Sequence, residues 1–379
     1  MAPIDRRMRL WAWFAQRQSA AALQGEDAVI AMQSRAFPDN ALTGFILGSA
    51  RPGTEVSDRV IPGPGGDLTV RVYRPRSGAA AGPRPLIVNY HGGGFVFGEL
   101  RLSDWLCSNV AANVGAVVVS VAYRLAPAHR FPAAVDDCYA ALEWAAGNAS
   151  DLGAGGPVGV MGESAGGNLS AVMCLLARDR GGPALSHQVL LYPATDLTRV
   201  APPPATSEKP LFLSTAEMQA YRRYYLGDAD ATDGRASPLL AGDHSRLPAA
   251  LIQVGEHDPL RPDGIRYAEA LRAAGVPVRL TEYVGMPHGY LNFPGLCRLA
   301  PQALAEICAE QKAALAAPRP RPLSYSQGET HRASLSVRRI GRSVPLGGCT
   351  RPSCVVDEVD IPFGLLWTPA APCAQPSRG

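Results

Sequence analysis

Lysine is nearly absent from this chain of 379 residues, which has 36 basic residues but only two lysines, Lys209 and Lys312. Together with the richness in alanine, glycine and proline, this bias indicates GC-rich coding rather than an arginine-specific function. The net charge is only +3, and no basic face is visible in the folded part of the sequence pattern. The composition therefore argues against a nucleic-acid partner.

Long apolar runs are also missing, and none approaches the ~18 residues that span a membrane. The start of the chain superficially resembles a signal peptide, but polar residues 16–18 interrupt its apolar stretch and no clean cleavage site follows. Eight cysteines are present without a C-x-x-C pair, which indicates neither a zinc site nor a redox motif. We expect a cytoplasmic protein without an integral membrane segment.

Strand-like and helix-like runs alternate along the chain, and the strand-like runs are rich in Val, Ile and Leu. This alternation predicts an α/β fold with a doubly wound, mostly parallel sheet. Residues 51–66, rich in proline and glycine, are predicted as loop. The predicted strands are 68–73, 86–90, 116–122, 157–161, 188–192, 249–254 and 278–283, and the helices are 102–114, 133–146, 164–178, 262–274 and 301–316.

Ser164 lies at the centre of a Gly-Glu-Ser-Ala-Gly sequence between a predicted strand and a predicted helix. A sharp turn at this point strains the serine backbone, and the flanking Gly162 and Gly166 remove Cβ atoms that would clash. Upstream, three consecutive glycines follow His91, and such a loop can turn N–H groups toward a substrate. The two motifs together predict acyl transfer through Ser164.

A serine nucleophile needs a general base, and the base needs an acid that orients it. The candidate bases late in the chain are His288, in a loop after run 278–283, and His331 in the C-terminal extension. His257 is a poorer candidate, because it is adjacent to Asp258 and neighbours on an extended backbone point apart.

The orienting acid is expected at the end of run 249–254, which leads into Glu256, Asp258 and then Pro259. Asp258 ends this segment, and the proline prevents the strand from continuing. Glu256 and Asp263 are competitors for the role, although Asp263 is better placed to cap the following helix.

Several motifs, in this order, resemble the hormone-sensitive-lipase-like branch of the α/β-hydrolases, mostly bacterial carboxylesterases. The resemblance covers about residues 40–317. The motifs are His91-Gly92-Gly93-Gly94-Phe95, Tyr123-Arg124-Leu125-Ala126-Pro127, Phe131-Pro132-Ala133-Ala134-Val135-Asp136-Asp137, Gly162-Glu163-Ser164-Ala165-Gly166-Gly167-Asn168-Leu169, Asp258-Pro259-Leu260 and Pro287-His288-Gly289.

The resemblance implies an eight-stranded, mostly parallel sheet with a helical cap, and a serine carboxylesterase that needs no metal or organic cofactor. The substrate would be a small ester with a short-to-medium acyl chain. The implied roles are nucleophile for Ser164, acid for Asp258, base for His288, oxyanion hole for the N–H groups of Gly93, Gly94 and Ala165, and loop structure for His91 with Gly92.

Two positions depart from the family pattern. Glu163 stands where many relatives have aspartate, which leaves the role of the serine unchanged. Pro262 stands where the family often has an acid, and this affects the start of the following helix rather than Asp258.

Three segments are predicted around this core. Residues 1–48 form an N-terminal helical cap segment, with aromatic residues at 11, 13, 14 and 37. Residues 49–317 form the catalytic domain, with a cap insertion at about 196–234. Residues 318–379 contain eight arginines and four acidic residues, so their net charge is +4 and that of residues 1–317 is −1. We expect this extension to lack a packed fold.

Several functional points stay open at the level of sequence. Aromatic and apolar residues that could line a substrate pocket are Phe95, Phe97, Leu211, Phe212 and Tyr221, although residues of this kind are more often core. Amide or formamide hydrolysis would use the same triad, a non-catalytic receptor would lack the base, and a scaffold protein would act through its extension. A homodimer through an edge strand such as 278–283 is compatible with the sequence but not required by it.

Overall fold

The computed structural model describes residues 2–4, 6–9, 25–35, 38, 40–76, 83–199 and 211–316, and only the backbone of 335–342 and 354–361. These residues form a single sheet flanked by helices. The strands are β1 Thr54–Gly63, β2 Gly66–Pro75, β3 Leu86–Tyr90, β4 Val117–Val121, β5 Val158–Glu163, β6 Leu185–Leu191, β7 Ala249–Gly255, β8 Val278–Tyr283, β9 Leu335–Arg342 and β10 Cys354–Ile361.

Eight helices of seven residues or more accompany these strands within the described ranges. Most follow a strand and return the chain to the start of the next one. They are α1 Glu26–Gln33, α2 Ala41–Leu47, α3 Asp104–Val110, α4 Ala133–Gly147, α5 Ala165–Asp179, α6 Thr215–Leu226, α7 Arg261–Ala273 and α8 Ala300–Ala316.

The strand order is β1-β2-β4-β3-β5-β6-β7-β8-β9-β10. β1 pairs antiparallel with β2, and β2 pairs antiparallel with β4. The strands from β3 to β9 in chain order all run parallel to one another. Strands β1–β8 with their helices form an α/β-hydrolase fold, which confirms the predicted fold class.

The central strands are buried on both faces, which explains their continuous apolar runs. In β3, Leu86, Val88 and Tyr90 pack into one core cluster together with residues of α4, α5 and α7. Ile87, between them, points to the opposite face and packs with residues of α3 and α8. Successive side chains of a strand alternate between faces, so one sequence run supplies both cores.

The predicted loop at 51–66 is wrong, because most of it forms β1 and the turn into β2. β1 is an edge strand that pairs on one side only. Val56, Asp58 and Val60 are exposed along it, so no continuous apolar run marks the strand. Pro62 lies near its end, opposite Asp67, and an edge strand tolerates a proline that a central strand would not.

The expectation that the C-terminal extension lacks packed structure does not hold for residues 335–342 and 354–361. Their backbones add β9 and β10 to the sheet, with β9 parallel to β8 and β10 antiparallel to β9. Backbone pairing does not need the periodic apolar pattern on which that expectation relied. As a consequence β8, considered above as a dimerising edge strand, is not an edge in this structure.

The α1 helix is tied to the loop that follows the three glycines. The side-chain amide of Gln33 donates to the carbonyl oxygens of Val96 and Ala126, at 2.7 and 2.6 Å. The α6 helix begins with a capping box between Ser214 and Glu217. Residues 11, 13, 14 and 37 and the stretch 200–210 lie outside the described residues, so the cap boundaries at 1–48 and 196–234 stay predictions.

Candidate active site

Ser164 lies in the sharp turn between the end of β5 and the start of α5. Its backbone adopts φ 55° and ψ −113°, which is strained for a residue other than glycine. A Cβ on Gly166 would overlap the carbonyl oxygen of Tyr90, and one on Gly162 would overlap the carbonyl of Gly166. The two glycines are therefore required by close backbone approach, and they let the turn present the serine at the carboxyl end of the sheet.

His288 and Asp258 complete a hydrogen-bonded row with Ser164. The Nε2 atom of His288 lies 2.8 Å from Ser164 Oγ, and its Nδ1 atom lies 2.8 Å from Asp258 Oδ2. The other carboxylate oxygen of Asp258 accepts from the N–H of Leu260 at 2.7 Å. Asp258 is fully buried and His288 nearly so. Three side chains from three separate loops thus have the arrangement of a serine, its base and an orienting acid.

The side chains that competed for the roles of acid and base have other partners. Glu256 accepts from the backbone N–H groups of Ala2 and Gly285. His257 contacts the carbonyl oxygen of Ala2 through Nε2 at 2.6 Å. His331 lies outside the described residues.

The sequence suggested that Asp263 caps the following helix, but it does not, because α7 already begins at Arg261. Its carboxylate accepts instead from the N–H groups of Thr195 and Asp196. Burial raises the pKa of Asp263 to about 7. The side chain joins α7 to the segment that follows β6 and lies in the wall of the cavity beside Ser164.

The glycine loop lies beside the serine. Gly93 and Gly94 have φ values of 118° and 64°, which favour glycine over other residues. Both glycines and Ala165 line the same cavity as Ser164 and His288. Within the described ranges, none of their three N–H groups donates to the backbone carbonyl of a turn or loop.

His91 holds the glycine loop in place from a fully buried position. Its Nδ1 atom lies 2.7 Å from the carbonyl oxygen of Gly92, and its ring stacks on Tyr123 with 4.2 Å between centroids. The hydroxyl of Tyr123 donates to the carbonyl oxygen of His91. Burial lowers the pKa of His91 to about 4, so the ring is neutral at physiological pH.

The cavity over Ser164 has a volume of about 290 Å³. Of the five residues predicted to line a pocket, Phe95, Phe212 and Tyr221 lie in its wall. Phe97 instead packs edge-on against Tyr221, and Leu211 packs with the second core cluster.

Sequence reasoning missed part of the wall. Met218 lies three residues before Tyr221 on α6, and this helical spacing could have found it. Phe293 stacks on Phe212 with ring centroids 4.8 Å apart, and no local signal in the sequence connects these two residues. Leu213, Leu260 and Asn292 complete the side of the cavity that these residues form.

A second carboxylate lies directly behind the serine. Glu163 is 2 % exposed, and the hydroxyl of Tyr192 donates to its Oε1 atom at 2.6 Å. Burial raises the pKa of Glu163 to about 7, against the opposing effect of this hydrogen bond. Tyr192 also meets the ring of His288 edge-on, with centroids 5.1 Å apart. Glu163, Tyr192 and His288 therefore form one packed group.

Among the described residues there is no cluster of three or more His, Cys, Asp or Glu side chains suited to a metal ion. None of the helices that the structure describes is long and apolar enough to cross a lipid bilayer.

Comparison with known proteins gives consistent matches. Residues 87–292 match a family with the α/β-hydrolase fold. The carboxylic ester hydrolase LipN of Mycobacterium tuberculosis is 47% identical over 246 residues, which are 63% of this chain and 65% of LipN. The esterase LipI of the same organism is 40% identical over 255 residues, which are 66% of this chain and 80% of LipI. The chain thus spans slightly less than two thirds of LipN.

A solved structure agrees with these relatives. The hyperthermophilic esterase from the archaeon Pyrobaculum calidifontis superimposes with a TM-score of 0.68 at 35% identity, over 82% of this chain and 99% of that one. An extended family match, close sequence relatives and a solved structure all point to the same class of enzyme. The chain belongs to the hormone-sensitive-lipase-like family of the α/β-hydrolase fold, and it is a carboxylic ester hydrolase.

Proposed function

We propose that the protein hydrolyses esters of short-to-medium carboxylic acids through Ser164, His288 and Asp258. The observation that carries this proposal is the pair of 2.8 Å contacts that His288 makes with Ser164 Oγ and with Asp258 Oδ2. These contacts occur beside a cavity that Gly93, Gly94 and Ala165 help to line.

In the first step, Ser164 Oγ attacks the ester carbonyl while His288 Nε2 takes its proton. Asp258 holds the imidazole in the orientation that receives this proton and stabilises the imidazolium. The N–H groups of Gly93, Gly94 and Ala165 stabilise the oxyanion, and losing one such donor lowers turnover on the order of 10²–10³-fold.

The imidazolium then returns the proton to the leaving alcohol, and an acyl-serine remains. Water attacks the acyl carbonyl while His288 accepts a proton from it. Collapse of the second oxyanion breaks the acyl–serine bond as His288 returns the proton to Ser164 Oγ, which releases the acid and restores the serine. Apart from the substrate and water, the groups in these steps are side chains and backbone N–H groups of the chain.

The size of the substrate follows from the cavity. Its volume of about 290 Å³ lies at the lower end of the range for small-molecule sites, roughly 300–1,000 Å³. The residues that line the cavity include the apolar side chains of Met218, Phe212 and Phe293. A short or medium acyl chain fits this volume better than a long one.

Hydrolysis of p-nitrophenyl acetate, butyrate, octanoate and palmitate by the wild type and by Ser164→Ala tests the proposal. We expect the rate to be highest on a short or medium chain, to fall sharply on palmitate, and to disappear in the variant. A wild type that prefers palmitate would contradict the size argument. Hydrolysis that survives in Ser164→Ala would contradict the mechanism, and a matched panel of p-nitroanilides would test for amide cleavage.

A further inference from the structure

We propose that Glu163 is a positioning residue that acts through His288, where its carboxylate adds to that of Asp258 in stabilising the imidazolium. The proposal rests on the roles proposed above for Ser164 and His288. It assigns a function to a buried carboxylate that takes no part in the acylation and deacylation steps described above.

The geometry places Glu163 close to the base but out of contact with substrate. It is the last residue of β5, adjacent to Ser164, and it does not line the cavity. Tyr192 lies between Glu163 and His288, bonded to the first and packed edge-on against the second. The Tyr192 backbone is held at φ 40° by the bond from its N–H to the carbonyl of Gln253.

The charges around this group leave His288 as the partner for the carboxylate. Tyr123 and Cys107 face Glu163 from neighbouring elements, and burial raises the pKa of both well above the usual range, so both are neutral. Asp258, the other acidic neighbour of His288, contacts the imidazole directly at Nδ1. Within the described residues, Glu163 forms no ion pair with an arginine or lysine.

The charge balance of the first catalytic step explains why this matters. The proton moves from Ser164 Oγ to His288 Nε2 as the serine–carbonyl bond forms, and the imidazole becomes positive. Glu163 exchanges no proton in this step, and its negative charge favours the positive ring. Because Tyr192 separates the two groups, the attraction is weaker than that of a direct ion pair, and at an effective dielectric constant of about 20 we expect an effect of about tenfold on the rate.

The ionisation of Glu163 falls within the working range of the enzyme, because burial raises its pKa to about 7. The fully active form therefore has Glu163 ionised, and the rate should fall as the pH drops through this range.

The test is the pH dependence of kcat/KM for a p-nitrophenyl ester, measured for the wild type, Glu163→Gln and Glu163→Asp. In Glu163→Gln, we expect the plateau to fall about tenfold. The ionisation near pH 7 that burial gives Glu163 should be absent from the acid limb. Glu163→Asp keeps the charge and should recover most of the plateau.

Tyr192→Phe gives an independent test, because it removes the hydrogen bond that holds the pKa of Glu163 down. This variant should behave like Glu163→Gln at neutral pH and approach the wild-type rate at alkaline pH, where Glu163 ionises again. A merely structural role for Tyr192 would lower the rate equally at every pH.

Asp104→Asn is the matched control, since its carboxylate accepts from the hydroxyl of Tyr73 at 2.7 Å, away from the cavity. Its profile should match that of the wild type. Titration with a fluorophosphonate counts the folded sites in each variant, and Tyr192→Phe decides the matter if Glu163→Gln does not fold.

Three results would overturn the inference. A folded Glu163→Gln enzyme with an unchanged pH profile of kcat/KM would show that the charge of Glu163 does not stabilise the His288 imidazolium. An equal loss at every pH in the Gln and Asp variants shows that only the shape of the side chain matters. If hydrolysis does not need Ser164, the proposed function is rejected together with this inference. If hydrolysis needs Ser164 but the pH profiles of the wild type and Glu163→Gln coincide, only this inference is rejected.

Discussion

Replacing Gly166 with alanine probes how tightly the serine turn packs against the glycine loop. The new Cβ would overlap the carbonyl oxygen of Tyr90 and lie 2.6 Å from that of His91. Both are backbone atoms, so no change of rotamer relieves the clash. Overpacking of this kind costs about 1–3 kcal/mol, while alanine gains about 0.5–1 kcal/mol over glycine in a helix. We expect a net loss of about 1 kcal/mol in the free energy of unfolding.

The loss of activity should exceed what the loss of stability alone would cause, because relief of the clash moves the glycine loop away from Ser164. A displaced oxyanion donor lowers turnover on the order of 10²–10³-fold. Urea unfolding and ester hydrolysis measure the two effects. Gly147→Ala is the control, since Gly147 ends α4 with no atom within 4 Å of an added Cβ, and it should be slightly stabilised and fully active. A Gly166→Ala enzyme as stable and active as the wild type would refute this packing argument.

Three further changes have defined outcomes. Asp258→Asn should fold and lose activity on the order of 10⁴-fold in kcat; a loss below tenfold would exclude Asp258 as the orienting acid. Asp137→Asn weakens a two-bond pair with Arg124, at 2.8 Å for each bond, and should cost about 2 kcal/mol in urea unfolding without changing the rate per active site. Burial lowers the pKa of His187 to about 4, so this residue contributes stability that is complete above its unfolded pKa of about 6.5 and is lost as the pH falls toward 4. As the pH falls from about 6.5 to 4, the free energy of unfolding of His187→Asn should therefore decrease by about 2–3 kcal/mol less than that of the wild type. Equal decreases in urea unfolding would contradict the low pKa of His187.

The sequence pattern predicts the buried strands well and the exposed edge poorly. β3 and β8 have the predicted boundaries. Parallel strands buried on both faces carry unbroken apolar runs, and such runs are legible without any tertiary information. β1 was missed because its exposed residues alternate with half-buried ones over most of its length and it ends with a proline and a glycine. β9 and β10 lie in a segment whose composition is typical of unstructured chain.

The candidate site divides in a similar way. Ser164, Asp258 and His288 are marked by short motifs and by their order along the chain. The group formed by Glu163 and Tyr192 is not, because the ends of β5 and β6 meet only when the parallel strands pair. The same holds for the contact of Phe212 with Phe293 in the cavity wall, since crossovers of the chain rather than local spacing bring these residues together.

The acyl-enzyme itself gives the most direct test of the central claim. A short-chain p-nitrophenyl ester is mixed with the enzyme, the reaction is quenched in acid within the first turnovers, and the protein is digested for mass spectrometry. The account predicts one acyl group on the peptide that contains Ser164, accumulating in the wild type and absent from Ser164→Ala. An acyl group on another residue, or rapid turnover by Ser164→Ala, would contradict hydrolysis through Ser164.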